Sequence, residues 1–145
     1  MRNGGRINWL VLALVTVVLL IVVLVTLSGE TSSVAARRFM KALSMGDAKT
    51  LTDMSYFEPE RSKEEVLKSW ERTVEIGRFY RFSWNIKNSK SPASGRSTVS
   101  MDFTRDADNP NSYGETFSLD MIQKDGKWLV DVKALSRDMY PALPR

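Results

Sequence analysis

Three hydrophobic rhythms follow one another along this chain. The first is continuous: from Ile7 to Leu27, INWLVLALVTVVLLIVVLVTL, no charged residue interrupts, and sixteen positions are Leu, Ile or Val. The second rhythm repeats at threes and fours. Ala36, Phe39, Met40 and Leu43 predict an amphipathic helix over 34–45, capped by Ser32 or Ser33 and ended by Gly46. Ala48, Leu51 and Met54 predict a short second helix opened by Asp47. Ser62 and Glu65 form a capping box ahead of Val66, Trp70 and Val74, a third helix that ends at Gly77.

From Tyr80 the period changes to two. Tyr80, Phe82, Trp84 and Ile86 share one face of a predicted strand, with Arg81, Ser83, Asn85 and Lys87 on the other. Val99, Met101 and Phe103 alternate in the same way, as do Phe117, Leu119 and Met121, and then Trp128, Val130 and Val132. SPASG, ADNPNSYG and KDGK separate these strands as turns. The expectation is an α+β fold: an N-terminal transmembrane helix, then three helices packed on a curved four-stranded antiparallel sheet. The last segment, 137–145, cannot continue a strand through Pro141 and is expected to be extended.

The continuous run has the length of a membrane span. Its residues 7–27, at about 1.5 Å each, cover roughly 31 Å, close to the hydrocarbon thickness of a bilayer. Insertion of its Leu, Ile and Val side chains is worth on the order of −5 to −10 kcal/mol. Arg2 and Arg6 precede it and Glu30 is the first charge after it. The positive-inside bias therefore predicts cytoplasmic residues 1–6, with Arg2, Arg6 and Trp9 at the membrane interface. Residues 28–33 become a short polar linker, and a domain over 34–136 lies on the periplasmic or extracellular side.

Composition removes several chemistries. The chain has neither cysteine nor histidine, so thiol nucleophiles, cysteine metal sites and Ser-His-Asp catalysis are excluded. No metal site and no cofactor are expected. Of the net charge of +4, two units belong to Arg2 and Arg6, leaving about +2 on the exported part. Both signs interleave there, which gives no basic stripe for nucleic acid.

The helical corner FMKALSMGDAKTLTDM, the capped helix SKEEVLKSWE and the last strand DGKWLVDV together resemble nuclear-transport-factor-2-like domains, over roughly Ser32 to Leu135. That resemblance implies a cone of three helices on a curved sheet, found in isomerases and dehydratases and also in non-catalytic binding and assembly domains. Its enzymes place Asp, His or Tyr inside the cone; this chain has no histidine to match. Membrane-anchored assembly factors of type IV secretion are similar in plan, but their Asn-Pro-x-Gly turn is lengthened here to Asn109-Pro110-Asn111-Ser112-Tyr113-Gly114.

The candidate residues follow from these patterns. Trp70, Tyr80, Trp84 and Trp128 are core residues that could also line a pocket for a small apolar ligand. Met139, Tyr140 and Leu143, on a pre-extended tail, could dock into a partner's groove. Asp102, Asp120 and Asp131 recur on three strands, but their period sets them opposite the apolar face, as cross-strand partners for Arg81, Lys87 and Lys133. The expected function is a membrane-anchored, non-catalytic binding or assembly module, an accessory subunit of a larger membrane complex. Its partners would be the bilayer, through residues 7–27, and one or more membrane proteins. The alternatives are an exported small-ligand sensor or carrier, and an isomerase- or dehydratase-type enzyme using an Asp and a Tyr.

Overall fold

The computed structural model describes residues 9–27, 29–106, 109 and 111–145. Helix α1 (Trp9–Leu27) is followed by α2 (Ser32–Met45), α3 (Ala48–Asp53), strand β1 (Ser55–Tyr56) and α4 (Lys63–Ile76). Four strands come next: β2 (Phe82–Ala93), β3 (Arg96–Arg105), β4 (Gly114–Lys124) and β5 (Lys127–Asp131), and a 3-10 turn at Val132–Ala134. The fold is α+β. Side chains of α1 are described for residues 11–21. Among the described residues no helix is long and apolar enough to cross a membrane. Arg2, Arg6 and the Trp9 side chain, expected at the interface, lie outside what is described.

The helix signals act as the sequence predicts, with two departures. Asp47 caps α3, its carboxylate accepting from the Thr50 amide at 3.1 Å and the Thr50 hydroxyl at 2.6 Å. Ser62 caps α4 by accepting from the Glu65 amide at 3.3 Å, but among the described residues the Glu65 side chain makes no return bond, so the expected capping box is only half formed. For α2 the cap is Thr31, which accepts from the Val34 amide at 3.3 Å, rather than Ser32 or Ser33. Ser32 is drawn inward instead, and its hydroxyl meets that of Ser97 at 2.8 Å. Gly46 ends α2 at φ 69°, a conformation that costs a side-chain-bearing residue about 1–2 kcal/mol.

The sheet corrects the expected four antiparallel strands. It has five, in the order β1-β5-β4-β3-β2, and β1 pairs parallel to β5 with Ser55 opposite Val130. The β2–β3 hairpin also turns at Ser94-Gly95, later than SPASG suggested, with Ala93 opposite Arg96. The alternation itself holds. Val99, Met101, Phe103, Leu119 and Met121 are buried, while Ser100, Asp102, Ser118 and Asp120 face outward. Val132 is buried too, but from the 3-10 turn.

Helix α2 lies across the inner face of β2–β5, and α3 packs on α2 and α4. Trp70 of α4, fully buried, stands edge-on to Phe39 of α2 with ring centroids 5.8 Å apart. Its indole N–H donates to the Ser55 hydroxyl at 2.8 Å, and that hydroxyl donates to the Leu51 carbonyl at 2.6 Å. This short chain ties α4 to β1 and α3 while leaving no polar atom of the indole unpaired.

The C-terminal segment is the largest departure from expectation. Residues 137–145 are not extended but fold back through turns onto the domain. Met139, Tyr140 and Leu143 are 0%, 4% and 7% exposed and belong to the chain's own core, so they are not a free docking strip. The Thr73 hydroxyl donates to the Ala142 carbonyl at 2.6 Å, and the Arg145 guanidinium donates to the Lys133 and Leu135 carbonyls. Pro141 does forbid a strand. It does not forbid a turn, and three apolar side chains lose more by staying in water than the turn costs.

Candidate functional site

The aromatic residues expected to line a pocket are not brought together. Trp84 on β2 and Trp128 on β5 have two strands between them and sit toward opposite ends of the sheet, Trp84 level with Phe103 and Glu115 and Trp128 level with Gln123. Trp70 is sealed against Phe39. Tyr80 borders a cleft of about 180 Å3 shared with Gly77 and Tyr140. The space between helices and sheet is taken up by the molecule's own rings. Phe82 stacks on Phe103 at 4.9 Å, Tyr140 meets Tyr80 edge-on at 5.3 Å, and Phe117 meets Phe103 edge-on at 5.4 Å.

Burial in this cluster raises the phenol pKa of Tyr80; Arg105 opposes that rise, and Asp106 and Glu115 add to it. Tyr140 is raised for the same first reason, with Tyr80 adding to it. Both hydroxyls therefore stay neutral across the physiological range.

At the edge of the cluster the inner face turns polar. Phe103 lies opposite Glu115 in the β3–β4 register. Strand parity therefore sets Arg105 and Glu115 on the same side as the rings. Arg105 Nη2 donates to Glu115 Oε2 at 2.7 Å, with 41% and 34% of their side chains exposed. Arg105 Nε is buried and has no hydrogen-bond partner among the described residues. These two residues, with Asp106, Asn109, Asn111, Ser112 and Tyr113, line a cleft of about 210 Å3. Its donors and acceptors suit a small polar ligand of a few heavy atoms. The sequence reading missed this pair. The available signal was parity: Glu115 stands two before Phe117, and Arg105 two after Phe103.

A larger groove of about 340 Å3 runs between β1, the α3–α4 connection and the end of β4. Its charges are matched within it: Lys63 with Asp53 at 2.6 Å and Lys124 with Glu60 at 3.2 Å, while Arg61 sits over the Phe57 ring at 5.0 Å. Trp70, Trp84 and Trp128 line none of these clefts.

The three aspartates lie on the outer face of the sheet. Asp102 pairs with Lys87 at 2.9 Å, and Asp120 accepts from the Thr98 hydroxyl at 2.8 Å. Asp131 accepts from the Lys133 amide at 3.2 Å, while the Lys133 ammonium reaches the Glu58 carbonyl instead. None of the three enters the space between helices and sheet. Among the described residues no cluster of acidic side chains could hold a metal ion.

No family model and no curated protein matches the sequence. Solved structures do match the fold. A protein provisionally named a calcium/calmodulin-dependent protein kinase type II association domain, from Thiobacillus denitrificans, aligns over 70% of this chain and 90% of its own, with 10% identity and a TM-score of 0.52. An NTF-2 like protein of unknown function from Shewanella oneidensis aligns over 66% and 88%, with 13% identity and a TM-score of 0.48. A provisionally named dehydratase of the NTF2-like family from Streptomyces avermitilis aligns over 68% and 86%, with 12% identity and a TM-score of 0.46. The domain that follows α1 shares its fold with the Thiobacillus denitrificans protein. At this identity the likeness concerns the fold alone.

Proposed function

We propose that this chain is a single-pass membrane protein that holds a non-catalytic NTF2-like binding module on the exported side of the membrane, as an accessory subunit of a larger membrane complex. The observation that carries the binding reading is the filled interior. Rings from β2, β3, β4 and the tail occupy the space where a catalytic or carrier domain would keep its cavity. Recognition then falls to the outside, above all to the polar outer face of β2, β3 and β4.

The anchor reading is supported by α1. Its described apolar side chains are all exposed, from Val11 at 57% through Leu14 at 67% to Ile21 at 54%. An apolar surface of that kind needs a cover, and with the flanking sequence it extends to the bilayer-spanning length of residues 7–27. Confinement to the membrane raises the module's effective concentration for a membrane-bound partner without adding a contact. Extraction of the full-length protein in mild detergent, with sizing and mass spectrometry of co-purifying chains, tests the proposal. A defined assembly at fixed stoichiometry supports it, and a lone monomer or homodimer refutes the subunit reading.

The Arg105–Glu115 cleft favours one second reading, a small-ligand sensor or carrier. Native mass spectrometry of the protein in detergent would then find an added small mass, lost in Glu115→Gln. The bare polypeptide mass alone would end that reading.

A further inference from the structure

The chain between α1 and α2 is short, and where α2 begins decides which end of the domain faces the bilayer. Four residues separate Leu27 from Ser32, five Cα-to-Cα steps that span at most about 17 Å even when fully extended. Ser32 is joined by its hydroxyl to Ser97, the second residue of β3. The β2–β3 turn is therefore tethered near the end of the apolar helix. The β4–β5 turn shares this end of the sheet: Arg96 lies opposite Ile122, and the Gln123 amide donates to the Gly95 carbonyl at 2.8 Å.

This tethered end is basic. Lys90, Arg96 and Lys127 are exposed there and, among the described residues, form no salt bridge. Lys124 is matched by Glu60, and Asp125 is the one further acid in the two turns. The N-terminus of α2 opens at the same end and adds its partial positive charge. The far end is balanced instead: Arg105 is paired with Glu115, and the exposed Arg81, whose carbonyl accepts from the Asp106 amide at 2.9 Å, offsets the charge of Asp106. The asymmetry therefore lies along the axis that the tether defines.

We infer that the end of the domain bearing the β2–β3 and β4–β5 turns rests on the headgroup layer of the bilayer, with Lys90, Arg96 and Lys127 against the phosphates of anionic lipids. This rests on the anchor reading above. A juxtamembrane basic side chain favours an anionic surface by about fivefold in the docked-to-undocked ratio, so the three together give about a hundredfold. The tether makes docking intramolecular, so affinities too weak to hold a free domain are enough. Docking at this end leaves the outer sheet face and the Arg105–Glu115 cleft turned toward a partner or solvent.

The chain has no cysteine, which allows a clean label. Full-length Ser94→Cys, carrying a fluorophore at the β2–β3 turn, is reconstituted into vesicles of equal parts phosphatidylglycerol and phosphatidylcholine bearing a headgroup-attached quencher. A second protein is labelled at Tyr113→Cys, at the far end. The expected result is strong quenching at Ser94 and little at Tyr113. Ser94 quenching should fall in pure phosphatidylcholine, in high salt and in the K90E/R96E/K127E variant. A K90Q/R96Q/K127Q variant should lie between, with both variants keeping the parent's circular dichroism and melting temperature. Equal quenching at the two labels, or no response to lipid charge, salt or the variants, overturns the inference while leaving the anchor intact. Failure of the parent protein to float with vesicles after an alkaline wash overturns the anchor and this inference together.

Discussion

Gly77 and Tyr140 give the sharpest test of how the domain closes. A Cβ built on Gly77 would stand 2.6 Å from Cε1 of Tyr140 and closer still to its hydroxyl, so no side chain fits while the tail is seated. The backbone itself would accept one: Gly77 sits at φ −86°, ordinary for alanine. Gly77→Ala thus has two opposed effects. Reduced freedom of the unfolded chain favours folding by about 0.4–1 kcal/mol. Overpacking against the ring costs about 1–3 kcal/mol, and we expect a net loss of about 1–2 kcal/mol. Tyr140→Ala removes a ring that is 4% exposed and in edge contact with Tyr80 and Phe82. Its cost should be about 3–5 kcal/mol.

In the double variant the clash is gone and only the entropic gain remains, so Gly77→Ala should change sign and stabilise by about 0.5–1 kcal/mol. The assay is urea unfolding of the full-length protein in detergent, followed by tryptophan fluorescence. With a slope of about 1–3 kcal/mol per molar, Tyr140→Ala should lower the midpoint by about 2 M. The same loss from Gly77→Ala in both backgrounds, or a shift below about 0.5 M for Tyr140→Ala, would show that the tail does not seat there and would refute the reasoning.

Three further outcomes are expected. Ser55→Ala leaves the buried Trp70 indole N–H without its acceptor and should cost about 1–3 kcal/mol, read as a lower melting temperature with unchanged far-ultraviolet dichroism. Raised folded-state pKa values at Tyr80 and Tyr140 mean that, above about pH 10, the unfolded phenols lose protons that the folded ones keep. The contribution of these two tyrosines should therefore be flat below that pH and fall above it, and Tyr140→Phe should flatten the fall in urea midpoints taken from pH 8 to pH 11. Hydrogen bonds from the Thr50 hydroxyl and amide lower the Asp47 pKa from 3.8, so its capping contribution is present above that pH and is lost as pH falls through the folded value. Asp47→Ala should cost about 0.5–2 kcal/mol near neutral pH and much less once Asp47 is protonated, measured as the difference between two melting curves.

What the sequence determined by itself was local. Asp47 and Ser62 open helices because a side-chain oxygen reaches an amide three residues on, and that geometry needs no distant partner. Val99, Met101 and Phe103 turn inward because a strand alternates by two, so the face of every residue on β3 and β4 follows from one of them. The outward aspartates were legible for the same reason.

The larger misses depend on residues far apart in the chain. Two residues are too short to show a period, and β1 exists because Ser55 finds Val130 and the Val130 amide finds the Met54 carbonyl at 2.7 Å. Ser32 was free to cap its own helix until Ser97 gave its hydroxyl a buried partner. The tail has no pattern that distinguishes a docking strip from a plug. Only the gap beside Gly77, bordered by Tyr80 and Phe82, makes Tyr140 a core residue of this chain rather than a ligand for another. Arg105 and Glu115 have ordinary neighbours in sequence, and become a site because antiparallel register sets them side by side over an aromatic floor. Periodicity can assign a face, but what stands opposite that face is set by packing, which is a property of the folded whole.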